Sequence, residues 1–149
     1  MAEKAHNKLT ASAAKDLLCR KDPRFRTLSG PQKKRLAVEF AKRGVVVYGQ
    51  AFDLVHCDPS VNFDDVASIE RALKDIRLYE VKSSNRTLKP EFADYFFSFS
   101  TAELLVAQSL GANFRFAFVN IHSGEVLDLS LREVFARARG IYPSWSIKF

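Results

Sequence analysis

The stretch Arg77-Leu78-Tyr79-Glu80-Val81-Lys82-Ser83-Ser84-Asn85 decides how this chain is read. Its alternation predicts a β-strand. Successive strand side chains point to opposite faces, so Leu78, Glu80 and Lys82 share one face while Tyr79 and Val81 take the other. A Glu and a Lys two residues apart at the end of an apolar strand have two readings. One is a solvated ion pair, worth about 0–1 kcal/mol. The other is a metal-binding carboxylate beside a lysine that handles a phosphate or a water. The second reading requires another carboxylate on a neighbouring strand.

Upstream, residues 51–56 read as a strand after Gly49 and contain Asp53. Asp58 competes for the role, but strict alternation puts it on the face opposite Asp53, and Asp58-Pro59-Ser60 reads as a turn. After Asp64-Asp65, the spacing of Val66, Ile69, Leu73 and Ile76 predicts a short capped helix between the two strands. Val45-Val46-Val47-Tyr48 is expected to be a strand of its own. Ser29-Gly30-Pro31 opens a helix that Gly44 ends, with Leu36, Ala37, Phe40 and Ala41 as its apolar stripe. Residues 9–20 predict an earlier helix, capped by Thr10 or Ser12 and stopped at Asp22-Pro23.

Downstream, a polar turn leads into an aromatic run over residues 92–99, which reads as core before it reads as a protein-docking surface. Ser100-Thr101-Ala102-Glu103 is a capping box opening an apolar helix that Gly111 closes. Residues 113–122 are expected to form the longest strand, turned by Ser123-Gly124 into a hairpin with residues 125–129. A second capping box, Ser130-Leu131-Arg132-Glu133, starts a helix expected to reach Gly140. Ile141, Pro143, Trp145, Ile147 and Phe149 then alternate as an edge strand would. No repeat or linker divides the chain. The expectation is a single domain over residues 1–149, with a basic helical extension over 1–30 and a core over 31–149. Its class is α/β (α+β), with helices flanking a mixed sheet of about five strands.

At 149 residues the chain can build a core without staples. Its net charge of +6 is uneven, since twelve basic and four acidic side chains precede Val45 whereas 11 and 13 follow. A basic front beside an acidic remainder suits a surface that meets a polyanion, although a merely soluble basic face reads equally well. Cys19 and Cys57 have neither metal nor redox spacing, and His6, His56 and His122 make no zinc constellation. No apolar run approaches a membrane span and the start has no apolar signal core, so the expected location is the cytoplasm, or the nucleus in a eukaryotic source.

An acidic helix residue, an Asp in one strand and Glu-x-Lys in the next resemble the PD-(D/E)xK nuclease superfamily, whose members share a restriction-endonuclease-like core. The parts here are Glu39, Asp53, Glu80 and Lys82. More narrowly, residues 48–129 resemble the nuclease-related C-terminal domain of the plant NO VEIN protein, through Phe52-Asp53, Tyr79-Glu80-Val81-Lys82-Ser83, and Phe96-Phe97-Ser98-Phe99-Ser100-Thr101-Ala102-Glu103-Leu104. The chain departs from the superfamily pattern at Phe52, where a proline is usual, and in the helix inserted between Asp53 and Glu80.

The resemblance implies a Mg²⁺- or Mn²⁺-dependent DNA endonuclease, with RNA as a further substrate class. Asp53, Glu80 and Lys82 would be catalytic, and Asp53, Glu80, the backbone carbonyl of Val81 and Glu39 would hold the metal. Glu103 and Gln108 would be accessory. Two of these have local explanations as well: Glu39 has Arg35 and Arg43 at four-residue spacing, and the capping box accounts for Glu103. Ser83, Ser84, Asn85 and Arg86 would hold flanking phosphates, with Lys33, Lys34 and Arg35 adding sequence-independent affinity. A cutter of both strands with one site per chain has to form a homodimer or act twice. The alternative is an inactive nuclease-fold module that binds nucleic acid ends, branches or modified bases.

Overall fold

A computed structural model describes residues 2–149, with side chains from Asn7 onward; His6 lies outside the described side chains. Five helices, α1 (Ala2–Lys21), α2 (Gly30–Ala41), α3 (Val66–Ala72), α4 (Thr101–Leu110) and α5 (Leu131–Arg137), flank five strands. The strands are β1 (Phe25–Arg26), β2 (Leu54–His56), β3 (Arg77–Ser84), β4 (Phe114–Asn120) and β5 (Val126–Ser130), and they lie side by side in chain order. All neighbours are antiparallel except β3 and β4, which run parallel and are joined through the aromatic run and α4. The expected mixed α/β sheet flanked by helices is therefore present.

Both faces of the central strands are covered, as a parallel pair requires. Leu78 and Phe114, Phe116 and Phe118 face a large core built with Leu36 and Phe40 of α2, Ile69 of α3 and Val106 of α4. Tyr79, Val81, Ala117 and Val119 face Ala14 and Leu18 of α1. Residues 1–30 thus do more than extend the core: α1 closes the second face, and β1 forms an edge of the sheet.

Local signals hold where they are self-contained. Ser29, Asp65, Ser100 and Ser130 are the N-caps expected for α2, α3, α4 and α5, and Gly44 takes a left-handed φ of +78° just past α2. In the aromatic run Tyr95, Phe97 and Phe99 pack inward, with Phe97 meeting Phe118 at 4.8 Å between ring centroids.

Six local expectations fail. β2 starts at Leu54, not Ala51, because the Asp53 carboxylate takes the Val81 N–H in place of a ladder bond, so Asp53 lies just outside the strand expected to contain it. Residues 45–48 form no strand, because the outer edge of β2 is taken by β1, and Val46 and Tyr48 are exposed. Thr10 lies inside α1, which starts eight residues before it, so neither Thr10 nor Ser12 is a cap. β4 ends at Asn120, whose side chain accepts the N–H groups of His122 and Ser123 and turns the chain, leaving β3 as the longest strand. α5 stops at Arg137, where Ala138 leaves helical geometry. Residues 141–149 form no strand and Trp145 is 91% exposed; their alternation has no surface to pack against among the described residues. Among those residues no helix is long and apolar enough to cross a membrane.

Candidate active site

Period-two alternation carries the β3 face from Leu78, in the core, to Glu80 and Lys82 toward the end of the strand. β2 leaves β3 at this level. Their register ends at Leu54 opposite Tyr79, and one further step sets Asp53 opposite Glu80. The Asp53 N–H still donates to the Tyr79 carbonyl at 2.8 Å, while its Oδ2 accepts the Val81 N–H at 2.9 Å. The carboxylate thereby takes a backbone donor that a longer β2 would have paired, which places it one peptide from Glu80.

Lys82 joins two buried carboxylates. Its Nζ donates to Glu80 Oε1 at 3.1 Å and to Glu103 Oε2 at 2.8 Å. Glu103 is delivered by the capping box of α4, where the same Oε2 accepts the Ser100 N–H. Two more lysines border the group. Lys15 of α1 lies 3.9 Å from Asp53 Oδ1, and Lys33 of α2 donates to the carbonyls of Gly49 and Phe52 at 3.0 and 2.7 Å.

Burial, then the Asp53 carboxylate, push the Glu80 pKa well above the usual carboxylate range, against the pull of Lys82. Burial opposes the charge on Lys82, but Glu80 and Glu103 outweigh it and the net shift is upward. Lys82 therefore stays an ammonium, and the unrelieved stress falls on Glu80. A proton or a bound cation there would relieve it. Glu80 Oε2 and Asp53 Oδ1 accept no hydrogen bond from the described residues. Among those residues no three His, Cys, Asp or Glu side chains form a ready-made cage. Mg²⁺ keeps several waters and is usually held by one or two carboxylates with substrate phosphates, so a pair of hard-oxygen donors fits it.

The remaining candidates divide. Glu39 is buried, and its ion pair is with Lys42 at 2.7 Å; Arg35 and Arg43 turn instead to Asp64 and the Glu70 carbonyl. It lies six residues past Lys33, about 9 Å along the helix, so α2 brings a lysine to the group where a carboxylate was expected. Gln108 is exposed, about 140° round α4 from Glu103. Asp58 accepts the N–H and hydroxyl of Ser60, the turn role. Ser84 is buried and accepts the Arg86 N–H, and Ser83 gives its carbonyl to the Tyr95 hydroxyl, so these two serines shape the strand end. Arg86 and Lys34 are exposed, and Arg35 is paired with Asp64. Lys15 was missed because nothing local distinguishes it from the other lysines of a basic helix.

No family model, curated protein or solved structure compared with the chain matches it.

Proposed function

We propose that the chain is a metal-dependent nuclease hydrolysing DNA phosphodiester bonds. The observation that carries this reading is the meeting of Asp53 and Glu80 across the β2–β3 divergence, with Lys82 held against Glu80. Asp53, Glu80 and the Val81 carbonyl would hold Mg²⁺ or Mn²⁺. Bound there, the cation would supply Lewis-acid polarisation of the phosphate and an acidified water. Lys82, kept charged by its two carboxylates, positions that water or offsets negative charge growing on the phosphate; it is not a free base. Glu103 orients Lys82 through a side chain already fixed by its cap.

Cleavage of plasmid and branched DNA with Mg²⁺ or Mn²⁺ tests the proposal. Wild type should cut while Lys82→Ala and Asp53→Asn do not; equal activity in all three would sink it. One observation favours a second reading, a binding module without catalysis. Lys15, Lys33 and Lys82 border Asp53, Glu80 and Glu103, so three lysines already face three carboxyl groups. That reading calls for salt-dependent nucleic acid binding and no Mg²⁺ heat in calorimetry.

A further inference from the structure

Beyond Lys82, β3 runs into a cavity of about 460 Å³. Its walls come from three parts of the chain: Asn7 and Thr10 of α1, Asn85 and Arg86 past the strand end, and Tyr95 and Phe96 of the aromatic run. The volume falls within the range of about 300–1,000 Å³ common for small-molecule sites.

Phe96 breaks the inward packing of its neighbours. Tyr95, Phe97 and Phe99 pack on the core, whereas Phe96 is 78% exposed at the cavity. The loop presenting it is held in an uncommon backbone state, with Glu91, Phe92 and Asp94 at φ of 56°, 57° and 63°. Non-glycine residues adopt this region rarely, and clusters of it occur where surrounding contacts enforce a shape that function uses. Those contacts are present. Arg137 donates to the Glu91 carbonyl at 2.6 Å, the Glu91 N–H donates to Glu125 at 2.7 Å, and Lys89 and Arg139 both pair with Asp94. The Tyr95 hydroxyl ties the same wall to the Ser83 carbonyl at 3.0 Å.

The cavity also has a defined place relative to the carboxylates. Ser83 and Ser84 line it and directly follow Lys82 on β3, so it opens within about 7 Å of strand rise from that lysine.

We propose that this cavity takes the unpaired base of a nucleotide flanking the cleaved bond, stacked on Phe96 with Arg86 near its phosphate. The inference rests on the nuclease reading of the Asp53–Glu80 pair and narrows its substrate to DNA with a single-stranded segment, because a base inside a duplex offers no free face. An aromatic ring accepts any base, and one cation holds the backbone, so the cavity selects strandedness over sequence.

The test is binding in EDTA, where no cleavage occurs. A dye-labelled single strand and the matching duplex are titrated with wild type, Phe96→Ala, Phe96→Tyr and Arg86→Gln, and a strand carrying 2-aminopurine reports stacking by quenching. Single-stranded DNA should bind more tightly than duplex. Phe96→Ala should weaken it by about 5- to 150-fold and abolish the quenching, and Phe96→Tyr should restore both. Arg86→Gln should lower the salt slope by about one. Equal affinity for duplex, or unchanged binding and quenching with Phe96→Ala, overturns the proposal. A parallel Mg²⁺ cleavage assay on wild type and Asp53→Asn separates the two claims. Asp53-dependent cleavage with Phe96-independent binding removes the cavity assignment alone, whereas Phe96-dependent binding without cleavage removes the nuclease reading alone.

Discussion

Two capping boxes, Ser100-Thr101-Ala102-Glu103 and Ser130-Leu131-Arg132-Glu133, do the same local work and meet different fates. In each the serine Oγ accepts the glutamate N–H, at 3.1 and 3.2 Å, and the glutamate accepts the serine N–H, at 3.1 and 2.7 Å. Glu133 stays 54% exposed, with Arg115 at 3.5 Å, and the cap explains it. Glu103 is buried, and the oxygen that caps α4 also receives Lys82. The motif sets a glutamate's rotamer; the position of its helix on the sheet decides whether the ion pair that rotamer makes is buried, as with Lys82, or exposed, as with Arg115.

Breaking the link at Lys82 should have the largest effect. Lys82→Ala leaves Glu80 and Glu103 buried without their shared cation, so denaturant unfolding should register a loss of about 3–5 kcal/mol. Cleavage should fall by at least about 100-fold. Metal removal comes next. With Mg²⁺ at about 100 times its Kd, thermal unfolding should show about 2.7 kcal/mol of stabilisation that EDTA reverses, lost in Asp53→Asn and kept in Glu133→Gln.

Glu103→Gln tests the comparison directly. Glutamine also serves at this cap position, so the helix should persist while Lys82 loses a charged partner. A fall of about 10-fold in cleavage is expected, against no change beyond about twofold for Glu133→Gln. Ser100→Ala and Ser130→Ala should each cost about 1 kcal/mol in unfolding. Only the first should also slow cleavage, since Ser100 anchors Glu103.

The smallest effect is on pH dependence. The Ser130 backbone N–H first, and its side chain second, hold the Glu133 carboxyl below its ordinary value of 4.5. A depressed folded pKa gives stability that is present above the unfolded value and lost as pH falls through the folded one. Glu133→Gln should therefore flatten the acid limb of an unfolding-against-pH curve below about pH 4.5, and a limb unchanged from wild type would refute the link.

What could be read ahead of the structure was short in range. Both capping boxes, the Ser29 and Asp65 caps, and the shared face of Glu80 and Lys82 follow from spacings within a few residues. Asp53 was legible only in part: residues 51–56 read as one strand, whereas β2 starts at Leu54 and Asp53 reaches β3 from just outside it, through its carboxylate on the Val81 N–H. β1 escaped notice because two residues cannot display a period. Residues 45–48 and 141–149 have strand composition without a sheet edge to join, and β-propensity expresses a fit to neighbours more than a backbone preference. At the site, Glu39 was read by its four-residue neighbours, yet the cation that reached it was Lys42, three residues on.

The sequence by itself determined the local geometry: where helices begin, which β3 side chains share a face, and that two serines would each hold a glutamate three residues on. Those are contacts within one turn or one pleat, where bond geometry leaves few alternatives. Only the tertiary structure decided that Glu103 meets Lys82 while Glu133 does not, that α2 brings Lys33 and α1 brings Lys15 beside Asp53, and that Phe96 stands open at a cavity. These depend on where helices lie across the sheet. Helix placement is set by the packing of many apolar side chains on both sheet faces, and no spacing along the chain records it.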